Sequence, residues 1–382
     1  MAKLLYLVTE SGYFFSHRYA LAKAAWMQGY DVVVATTLAG QDKARLQAAG
    51  FKVCPLVRMN RTSLNPWKQL LSLIEIYSLY RTEKPDVVHH VAMKPVLYGT
   101  IAALMVGKSS IVNALTGLGY VFISPSLKAK TLRWALWHLF KLLFKGKNRI
   151  LIVQNGDDFK LFSKILPPTN VTLIRGSGVD TKAFCTAKKT KDRKKLKVVL
   201  LARMLWDKGI QEAIDAVTVL KKNQFYKKLA PFEFILAGGL DLQNPSGIPQ
   251  KFIESWQELG ICKWVGKVDD VADFYQKSDI VVLPSYREGL PKSLLEAAAC
   301  GLPIVTTNVP GCREVVQHNK TGLLVPVKTV LPLAQALERL LKDKTLRIKL
   351  GKNARTSVVK HFSEELVIQQ TLKCYQSLIP NR

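Results

Sequence analysis

Several features that would narrow the function of a 382-residue chain are scarce or missing. The six cysteines form no Cys-x-x-Cys pair and no cluster with histidine, which argues against a zinc site and favours scattered reduced thiols. No Asp-x-Asp motif occurs, so nothing in the sequence demands a divalent metal, and we expect no cofactor. No apolar run is long enough to span a bilayer, and the start MAKLLYLVTESG predicts a first strand rather than a signal peptide.

Acidic residues are scarce in the first half of the chain. Residues 1–200 carry 31 lysines and arginines against 10 aspartates and glutamates, a balance of +21, whereas residues 201–382 carry 25 against 18, a balance of +7. A half this basic indicates an anionic partner, which could be a phosphate-rich lipid, a nucleic acid or a charged substrate. The length of the chain favours two domains, and its 48% of hydrophobic residues can form substantial cores.

Apolar runs rich in Val, Ile and Leu alternate with helical stretches, in two series. The first series is KLLYLVTE, DVVVATT, KVCPLV, PDVVHHVA, SIVNALTG, RILIVQN and NVTLIRG, and the second is KVVLLARM, FEFILAGG, KWVGKV, DIVVLPS, LPIVTTN and GLLVPV. Strands that are buried on both faces of a parallel sheet have this composition. The two series predict an α/β chain with two doubly wound, Rossmann-like domains that face a cleft.

A charged stretch without apolar periodicity, CTAKKTKDRKKLK at residues 185–197, separates the two series. We therefore expect an N-terminal domain over residues 1–184 and a C-terminal domain over residues 185–360. The amphipathic end of the chain, residues 361–382, predicts a helix that could pack on either domain, including back on the first.

Two glutamates follow the strand DIVVLPS, in the segment YREGLPKSLLEAAAC. Ligands of open α/β sheets bind beyond the carboxyl ends of the strands, which makes Glu288 and Gly289 candidates for a site. Pro291 suits the first position of a helix, whose N–H groups favour an anion. Glu296, in the second turn, could accept two hydrogen bonds from the vicinal hydroxyls of a ribose. Two surface glutamates beside a helix start are the simpler alternative.

Two cations follow another strand, in VVLLARMLWDKG. Arg203 and Lys208 at one strand-to-helix loop suit a pyrophosphate, although either cation alone would usually be a solvated charge. The next strand ends in LAGG, at residues 236–239, which indicates either a nearby ligand or simply a turn.

These pieces occur together with GVDTKAF, VGKVDDVADFYQKSD, GLPIVTTNVPGCREVV and KTGLLVP, and in this order they resemble the retaining glycosyltransferases of family four, which have the GT-B fold. The resemblance is strong over about residues 175–330 and weaker over the first half. Within the family the chain is most similar to bacterial enzymes that build capsule, lipopolysaccharide or lipid-linked oligosaccharide. The resemblance implies retaining transfer of a hexose or N-acetylhexosamine from a nucleotide-sugar, specifically a UDP-sugar, to a lipid-linked or polysaccharide acceptor. It also implies that the N-terminal domain, residues 1–184, binds the acceptor and that the C-terminal domain, residues 185–360, binds the donor.

The resemblance also implies roles for the charged residues. Arg203 and Lys208 would hold the donor diphosphate and support the leaving group. Glu288 would face the donor sugar and act in catalysis with these two cations. Glu296 would bind the ribose of the nucleotide.

Backbone contacts with the donor are implied at two loops. Gly289, Leu290 and Pro291 match the loop whose backbone contacts the sugar and the phosphate. Gly12 lies where the family has a loop that approaches the diphosphate, although this chain has a single glycine there.

Many relatives carry a histidine where this chain has Thr116. His89 or His90, at the end of PDVVHHVA, could take that place and face the cleft, and His89 fits the pattern better as a catalytic residue. A histidine that only supports the structure is the alternative.

The stretch LKAKTLRWALWHLFKLLFKGKNR, residues 127–149, contains no acidic residue. At about 100° per residue, one helix face predicts core packing and comprises Leu132, Ala135, Leu136, Leu139, Leu142 and Leu143. The opposite face combines cations with aromatic rings: Lys130, Arg133, Trp134, Trp137, Phe140, Lys141, Phe144 and Lys145. Such a face suits the headgroup boundary of an anionic bilayer, although a solvated or domain-packed helix would also fit. We therefore expect a peripheral enzyme at the inner, cytoplasmic face of the cytoplasmic membrane.

Two other classes of function stay open at this point. A nucleotide-sugar epimerase, a phosphorylase or another GT-B enzyme would share the architecture. A non-enzymatic basic protein that binds membranes or nucleic acid would fit the charge, but it gives no reason for charged residues at the strand ends, and no nucleic-acid motif is evident. As partners we expect a nucleotide-sugar donor, a glycan acceptor and an anionic membrane surface, and no nucleic acid.

Overall fold

The structure is a computed structural model that describes residues 1–59, 65–107, 110–118, 127–186, 195–222 and 229–379. The chain folds into two compact α/β units, one comprising residues 1–177 and 365–382 and the other residues 178–364. Within the described residues, each of the thirteen apolar runs contains a strand, and the ladders between these strands are parallel. The prediction of two doubly wound α/β domains is confirmed.

The first unit is built on a parallel sheet. Its strands are β1 (Lys3–Glu10), β2 (Asp31–Thr37), β3 (Lys52–Pro55), β4 (Val87–Val91), β5 (Ser110–Leu115), β6 (Arg149–Val153) and β7 (Val171–Leu173). They lie in the order β3-β2-β1-β4-β5-β6-β7. The direction of winding reverses between β1 and β4, which makes this pair the topological switch point, where open α/β sheets bind their ligands.

Helices cover both faces of this sheet. They include α1 (Ser11–His17), α2 (Tyr19–Met27), α3 (Asp42–Ala48), α4 (Pro66–Glu83), α5 (Met93–Val106), α6 (Leu127–Phe144) and α7 (Gly156–Phe162). Alternate residues of β1 point to opposite faces: Leu4 and Tyr6 join a core with α1 and α2, whereas Leu5 and Leu7 join a core with α4 and α5. The near-continuous apolar composition of β1 follows from this burial on both sides.

The second unit repeats the design. Its strands are β8 (Leu196–Leu201), β9 (Phe232–Ala237), β10 (Lys263–Trp264), β11 (Ile280–Leu283), β12 (Ile304–Thr307) and β13 (Leu323–Val325), in the order β10-β9-β8-β11-β12-β13. Its helices include α8 (Ile210–Lys222), α9 (Gln250–Glu258), α10 (Val271–Gln276), α11 (Lys292–Ala299), α12 (Cys312–Val315), α13 (Val330–Lys342) and α14 (Lys344–His361). The switch point here lies between β8 and β11.

The last helix, α15 (Glu364–Leu378), contributes Tyr375 and its apolar neighbours to the core of the first unit. In the structure the second unit begins at residue 178 and ends at residue 364, whereas the sequence predicts that it begins at residue 185 and ends at residue 360. The difference arises because Val179 is buried in the second core and its N–H donates to the carbonyl of Phe362 at 3.0 Å. The charged stretch after residue 184 is therefore not the border between the units.

Helix α6 packs inward three aromatic rings of the face that the sequence assigns to the outside. Phe140 and Phe144 are almost fully buried and stack with ring centroids 5.1 Å apart, and Trp137 packs against α7. Leu132 and Leu142, which the sequence assigns to the core, are 48% and 72% exposed. The prediction that the aromatic rings at 137, 140 and 144 face a membrane is wrong, because these large rings bury more apolar area than the leucines they displace.

Candidate active site

Arg203 lies just beyond the carboxyl end of β8 and meets a carboxylate from the loop after β9. Its Nη1 donates to Oδ2 of Asp241 at 2.5 Å, and half of the Arg203 side chain remains exposed. The loops lie this close because Gly238 has no side chain: a Cβ there would lie 1.8 Å from the carbonyl oxygen of Ala202. The LAGG motif thus serves close packing of two loops, and Asp241, which the sequence prediction missed, follows it directly.

Lys208 and Glu288 form an ion pair between the loops that follow β8 and β11, the two strands at the switch point. Nζ of Lys208 lies 2.5 Å from Oε1 of Glu288, and the two side chains are only 20% and 12% exposed. A pair so far removed from water interacts more strongly than a surface pair. The structure thus brings together a cation and a carboxylate that the sequence predicts as separate parts of the site.

The position of Lys208 is fixed by a 3-10 turn, Trp206–Lys208, that is tied to the loop after β11. The carbonyl of Asp207 accepts the N–H of Tyr286 at 2.9 Å. The turn ends at Gly209, with φ of +71°, and a Cβ at that residue would lie 2.1 Å from the carbonyl oxygen of Pro284. Only glycine fits there, so the backbone itself sets the distance from the cation to Glu288.

Tyr286 adds a second connection between the same two segments. Its hydroxyl donates to Oε1 of Glu212 on α8 at 2.6 Å, and Nζ of Lys328 lies 4.8 Å from the centre of its ring. Burial, reinforced by the carboxylate of Glu212, raises the pKa of Tyr286, so that the hydroxyl remains a hydrogen-bond donor. The sequence prediction passed over Tyr286, although it directly precedes the Arg-Glu-Gly-Leu-Pro stretch that carries the site.

The Glu288–Gly289 backbone is held by a loop from the neighbouring strand, β12. Gly311 has φ of +78°, and a Cβ there would lie 2.5 Å from the carbonyl oxygen of Gly289 and 2.7 Å from that of Glu288. The side chain of Leu290 is buried in the core. Pro291, with ψ of 111°, is the N-cap of α11 and not its first helical residue, because its extended backbone only turns into the helix after it.

Glu296 lies in the second turn of α11 and is buried. Burial raises the pKa of its carboxyl to about 7, against the opposing effect of Lys292, whose Nζ lies 3.8 Å away. Carboxyl groups with a pKa perturbed in this way concentrate at functional sites.

The two candidate histidines lie in the interior of the first unit. His89 is 1% exposed, stacks on Tyr6 and has Nδ1 2.5 Å from the hydroxyl of Tyr375. His90 is fully buried between Tyr80 and Asn113, at 2.9 and 2.7 Å. The prediction that either histidine faces an open site is wrong, because β4 continues past them to its last residue, 91, and holds both side chains against covering helices.

Gly12 lies in the first turn of α1, just after β1. The residue is exposed, and no atom lies within 4 Å of the position that a Cβ would occupy. Its approach to a diphosphate stays a prediction.

Two family models match the chain. One, described as Glycosyl transferases group 1, matches residues 182–357, and the other, described as Glycosyl transferase 4-like, matches residues 3–155. The N,N'-diacetylbacillosaminyl-diphospho-undecaprenol alpha-1,3-N-acetylgalactosaminyltransferase of Campylobacter jejuni is 30% identical over 348 residues, which cover 88% of this chain and 89% of that relative. The UDP-Gal:alpha-D-GlcNAc-diphosphoundecaprenol alpha-1,3-galactosyltransferase of Escherichia coli is 26% identical over 327 residues, which cover 82% of this chain and 81% of that relative.

The fold has a match among solved structures. The crystal structure of Anabaena HepE in complex with UDP and glucose has a TM-score of 0.76 at 18% identity, over 99% of this chain and all of that one. At that identity the likeness shows the fold alone, which is that of the GT-B glycosyltransferases. With the match to the Campylobacter enzyme over most of both sequences, the chain belongs to the family-four glycosyltransferases.

Proposed function

We propose that this glycosyltransferase moves a hexose or N-acetylhexosamine from a UDP-sugar to a lipid-linked or polysaccharide acceptor, in the synthesis of a cell-envelope glycan and with retention of the anomeric configuration. The names of the Campylobacter and Escherichia relatives support the acceptor class, since both contain diphospho-undecaprenol or diphosphoundecaprenol. UDP appears in the name of the Escherichia relative and in the structure of HepE. The observation that carries the proposal is the closely spaced, poorly exposed Lys208–Glu288 pair at the switch point of the second sheet.

The difficult step in this transfer is the departure of the nucleoside diphosphate, which takes the electron pair of the bond to the anomeric carbon. Lys208 and Arg203 would stabilise the charge that develops on the leaving oxygens more in the transition state than before it. The acceptor hydroxyl would attack from the face that the diphosphate leaves, and its proton would pass to the departing phosphate. Both cations are held by carboxylates, which fixes them before the reaction begins.

The two glutamates would select the donor. Glu288, oriented by Lys208, would accept hydrogen bonds from hydroxyls of the sugar. Glu296 would accept the two hydroxyls of the ribose, for which it must be ionised, and its pKa of about 7 lets this happen at physiological pH.

A donor screen followed by a transfer assay tests this function. We expect UDP-sugars, rather than GDP- or ADP-sugars, to raise the melting temperature, because a ligand that binds only the folded state stabilises it. We then expect free UDP to accumulate only when a diphosphoprenol-linked sugar is added, and the new linkage to keep the donor's anomeric configuration. Conversion of the donor into another nucleotide-sugar without acceptor would instead identify an epimerase.

We also propose that the first unit docks on an anionic membrane through the outer faces of α4 and α6. In the described part of the chain, no helix combines the length and the apolarity needed to cross a bilayer. The outer face of α6 nevertheless exposes apolar and basic side chains together: Leu127, Lys130, Trp134, Lys141, Leu142 and Lys145. Of the residues expected there, Arg133 is half-buried and the rings at 137, 140 and 144 pack inward.

Helix α4 adds a second apolar stripe on the same unit. Four exposed side chains follow one another at helical spacing: Trp67, Leu70, Leu71 and Ile74. The ranges of α4, α5 and α6 contain seven lysines and arginines against Glu75 and Glu83. Both glutamates are engaged locally, Glu75 by backbone N–H groups and Glu83 by Lys52 at 2.8 Å. Exposed apolar groups on helices that carry more basic than acidic residues favour an anionic lipid surface.

Vesicle co-sedimentation of the full chain tests the membrane proposal. We expect binding to vesicles that contain phosphatidylglycerol, weaker binding to neutral vesicles, and a sharp loss of binding with added salt. The double variant Trp134→Ser/Leu142→Ser should bind more weakly, whereas Leu259→Ser, which removes an equally exposed leucine from the second unit, should bind like the parent. Equal binding of both variants would refute the assignment of this face.

A further inference from the structure

A cavity of about 610 Å³ opens on the surface of the second unit, beside helix α14. One of its walls contains Thr186 and Gly301, and Gly301 directly follows the end of α11. Helix α11 begins at the loop after β11, which carries Glu288, and runs back to the start of β12. The cavity therefore lies near the amino end of β12, whereas the candidate active site lies at the carboxyl ends of the strands.

The other wall of the cavity is one face of α14. The side chains on this face follow one another at helical spacing, and they are Ile348, Lys352, Arg355, Thr356, Val359 and Lys360. The opposite face is buried in the second core through Leu350, Ala354 and Val358. We call the cavity between this face of α14 and the wall at residues 186 and 301 the α14 groove.

Close contacts hold the two walls of the groove together. Gly351 of α14 packs directly on the end of α11, since a Cβ there would lie 2.0 Å from the carbonyl oxygen of Gly301. The guanidinium of Arg355 donates to the carbonyls of Phe184 at 3.0 Å and Thr181 at 3.3 Å. The groove is thus formed before a ligand arrives, which lowers the entropic cost of binding.

Cations line the α14 groove, and no acidic residue does. The cations are Lys352, Arg355 and Lys360, and α14 as a whole has six lysines and arginines without an aspartate or glutamate. Among the residues that the structure describes, neither Lys352 nor Lys360 has an ion-pair partner. The segment after Thr186, residues 187–194, is itself basic, so its charge opposes occupation of the groove. The groove therefore favours an acidic ligand from outside the chain.

Two exposed apolar side chains lie at the ends of this face. Ile348 is 61% exposed and Val359 is 44% exposed, and they are roughly 16 Å apart along the helix axis. Lys352 and Arg355 lie between them in the sequence. A lipid carries its charge at one end and its hydrocarbon at the other, so it matches only half of this order. A polypeptide segment can place apolar side chains on both sides of acidic ones, and it matches the whole order.

We propose that the α14 groove binds an acidic segment of a partner protein, in which apolar residues flank the carboxylates. The apolar residues would cover Ile348 and Val359, and the carboxylates between them would pair with the exposed ammonium of Lys352. The volume of about 610 Å³ lies within the range of about 300–1,000 Å³ that ligand sites occupy. Because the groove lies away from the strand ends that carry Glu288, this site is independent of the transfer reaction.

Selection from a random peptide library on the immobilised full chain tests the proposal. Peptides of about 12 residues can span the groove as a helix. We expect the recovered peptides to be acidic with flanking apolar residues, and to lose binding to Lys352→Glu/Lys360→Glu. The matched control is Lys344→Glu/Lys349→Glu, which makes the same change of charge at exposed positions of α14 outside the groove, and it should bind like the parent. Recovery of no peptide, or equal binding to the two variants, would overturn the proposal.

A recovered peptide allows the contacts to be separated by fluorescence anisotropy. We expect the Kd to rise at least about tenfold in Lys352→Glu and by a similar factor in Ile348→Ser. Replacing one acidic residue of the peptide by lysine should weaken binding to the parent and strengthen binding to Lys352→Glu, because both charges are then reversed. If no acidic position of the peptide shows this reversal, the peptide does not pair with Lys352 and the proposal is wrong.

Two further measurements distinguish other occupants. Vesicles that contain phosphatidylglycerol should bind Lys352→Glu/Lys360→Glu as well as they bind Lys344→Glu/Lys349→Glu, and a loss confined to the groove variant would identify a lipid site instead. Sedimentation velocity should give the groove variant and the parent the same oligomeric state, and dissociation of a parent oligomer in the variant would identify a second copy of the chain as the occupant. Either result would overturn the proposal. None of these measurements requires turnover, so they can succeed or fail independently of the transferase assay.

Discussion

Replacing Glu296 by glutamine tests the electrostatic account of the donor site. The carboxyl is buried in α11, and Nζ of Lys292 lies 3.8 Å away. Glutamine keeps the size of the side chain and one acceptor oxygen but cannot ionise. Any difference between the variant and the parent that depends on pH therefore reports on the ionisation of this one group.

The size and sign of the effect follow from the pKa of Glu296. It is raised from 4.5 to about 7, so the folded protein holds this proton more tightly than the unfolded chain does. The group stabilises the fold fully below about pH 4.5, and that contribution is lost as the pH rises through about 7. The two pKa values differ by an amount that corresponds to roughly 3 kcal/mol. We expect Glu296→Gln to match the parent near pH 4.5 and to exceed its free energy of unfolding by up to roughly 3 kcal/mol at about pH 8.

Urea unfolding at a series of pH values measures this difference. Glu254→Gln on α9 is the control, because that side chain is exposed and its change should have little effect at any pH. We also expect Glu296→Gln to bind the donor at least about tenfold more weakly, so that stability and affinity move in opposite directions. A gain that is equal at all pH values, or a variant that is less stable than the parent at about pH 8, would refute the burial of an ionisable carboxyl as the cause.

Three further substitutions examine how the site is built. Lys208→Ala should lower kcat by roughly 100-fold to 1,000-fold in a protein that still folds, although it leaves the poorly exposed carboxylate of Glu288 without its cation and therefore lowers the free energy of unfolding. Kinetics like the parent's would exclude Lys208 from the departure of the diphosphate. Gly238→Ala should destabilise the second unit by several kcal/mol in urea unfolding, because the new Cβ would lie 1.8 Å from the carbonyl oxygen of Ala202. Gly239→Ala is the control, since no atom lies within 4 Å of its Cβ position, and equal stabilities of the two variants would contradict the close approach. Tyr286→Phe should lower kcat severalfold and stability by about 1 kcal/mol, since it leaves the half-buried carboxylate of Glu212 without this donor. A fall in stability alone would make the hydroxyl purely structural.

The strands could be predicted from the sequence because each carries its own signal. A run such as that of β1, which is apolar at every position from Leu4 to Val8, fits a parallel strand buried on both faces and little else. The predicted residues after β8 and β11 also lie beyond strand ends, as expected, since that position depends only on where each strand stops. The strands and the residues that follow them are determined by short stretches of sequence, so the sequence alone was enough to predict them.

The features that the sequence analysis missed or predicted wrongly depend on tertiary contacts. The pairing of Lys208 with Glu288 joins positions 80 residues apart, and no periodicity reveals it. The burial of His89 depends on Tyr375, 286 residues away. On α6 both faces carry apolar residues, so the helical period alone could not decide between leucines and aromatic rings. The packing of Trp137 and Phe140 against Phe162 of α7 decides it.

The membership of α15 in the first unit has a consequence for synthesis on the ribosome. The polypeptide leaves that unit at residue 177 and returns to it only at residue 365. At translation rates of about 5–20 residues per second, roughly 190 intervening residues delay the return by roughly 10–40 s. Throughout this interval the nascent first unit lacks the helix that covers Tyr6 and His89, whereas the second unit is already complete when α15 emerges. The later-encoded half of the enzyme can thus mature before the earlier one, and a prematurely terminated product would expose an apolar patch to chaperones and proteases.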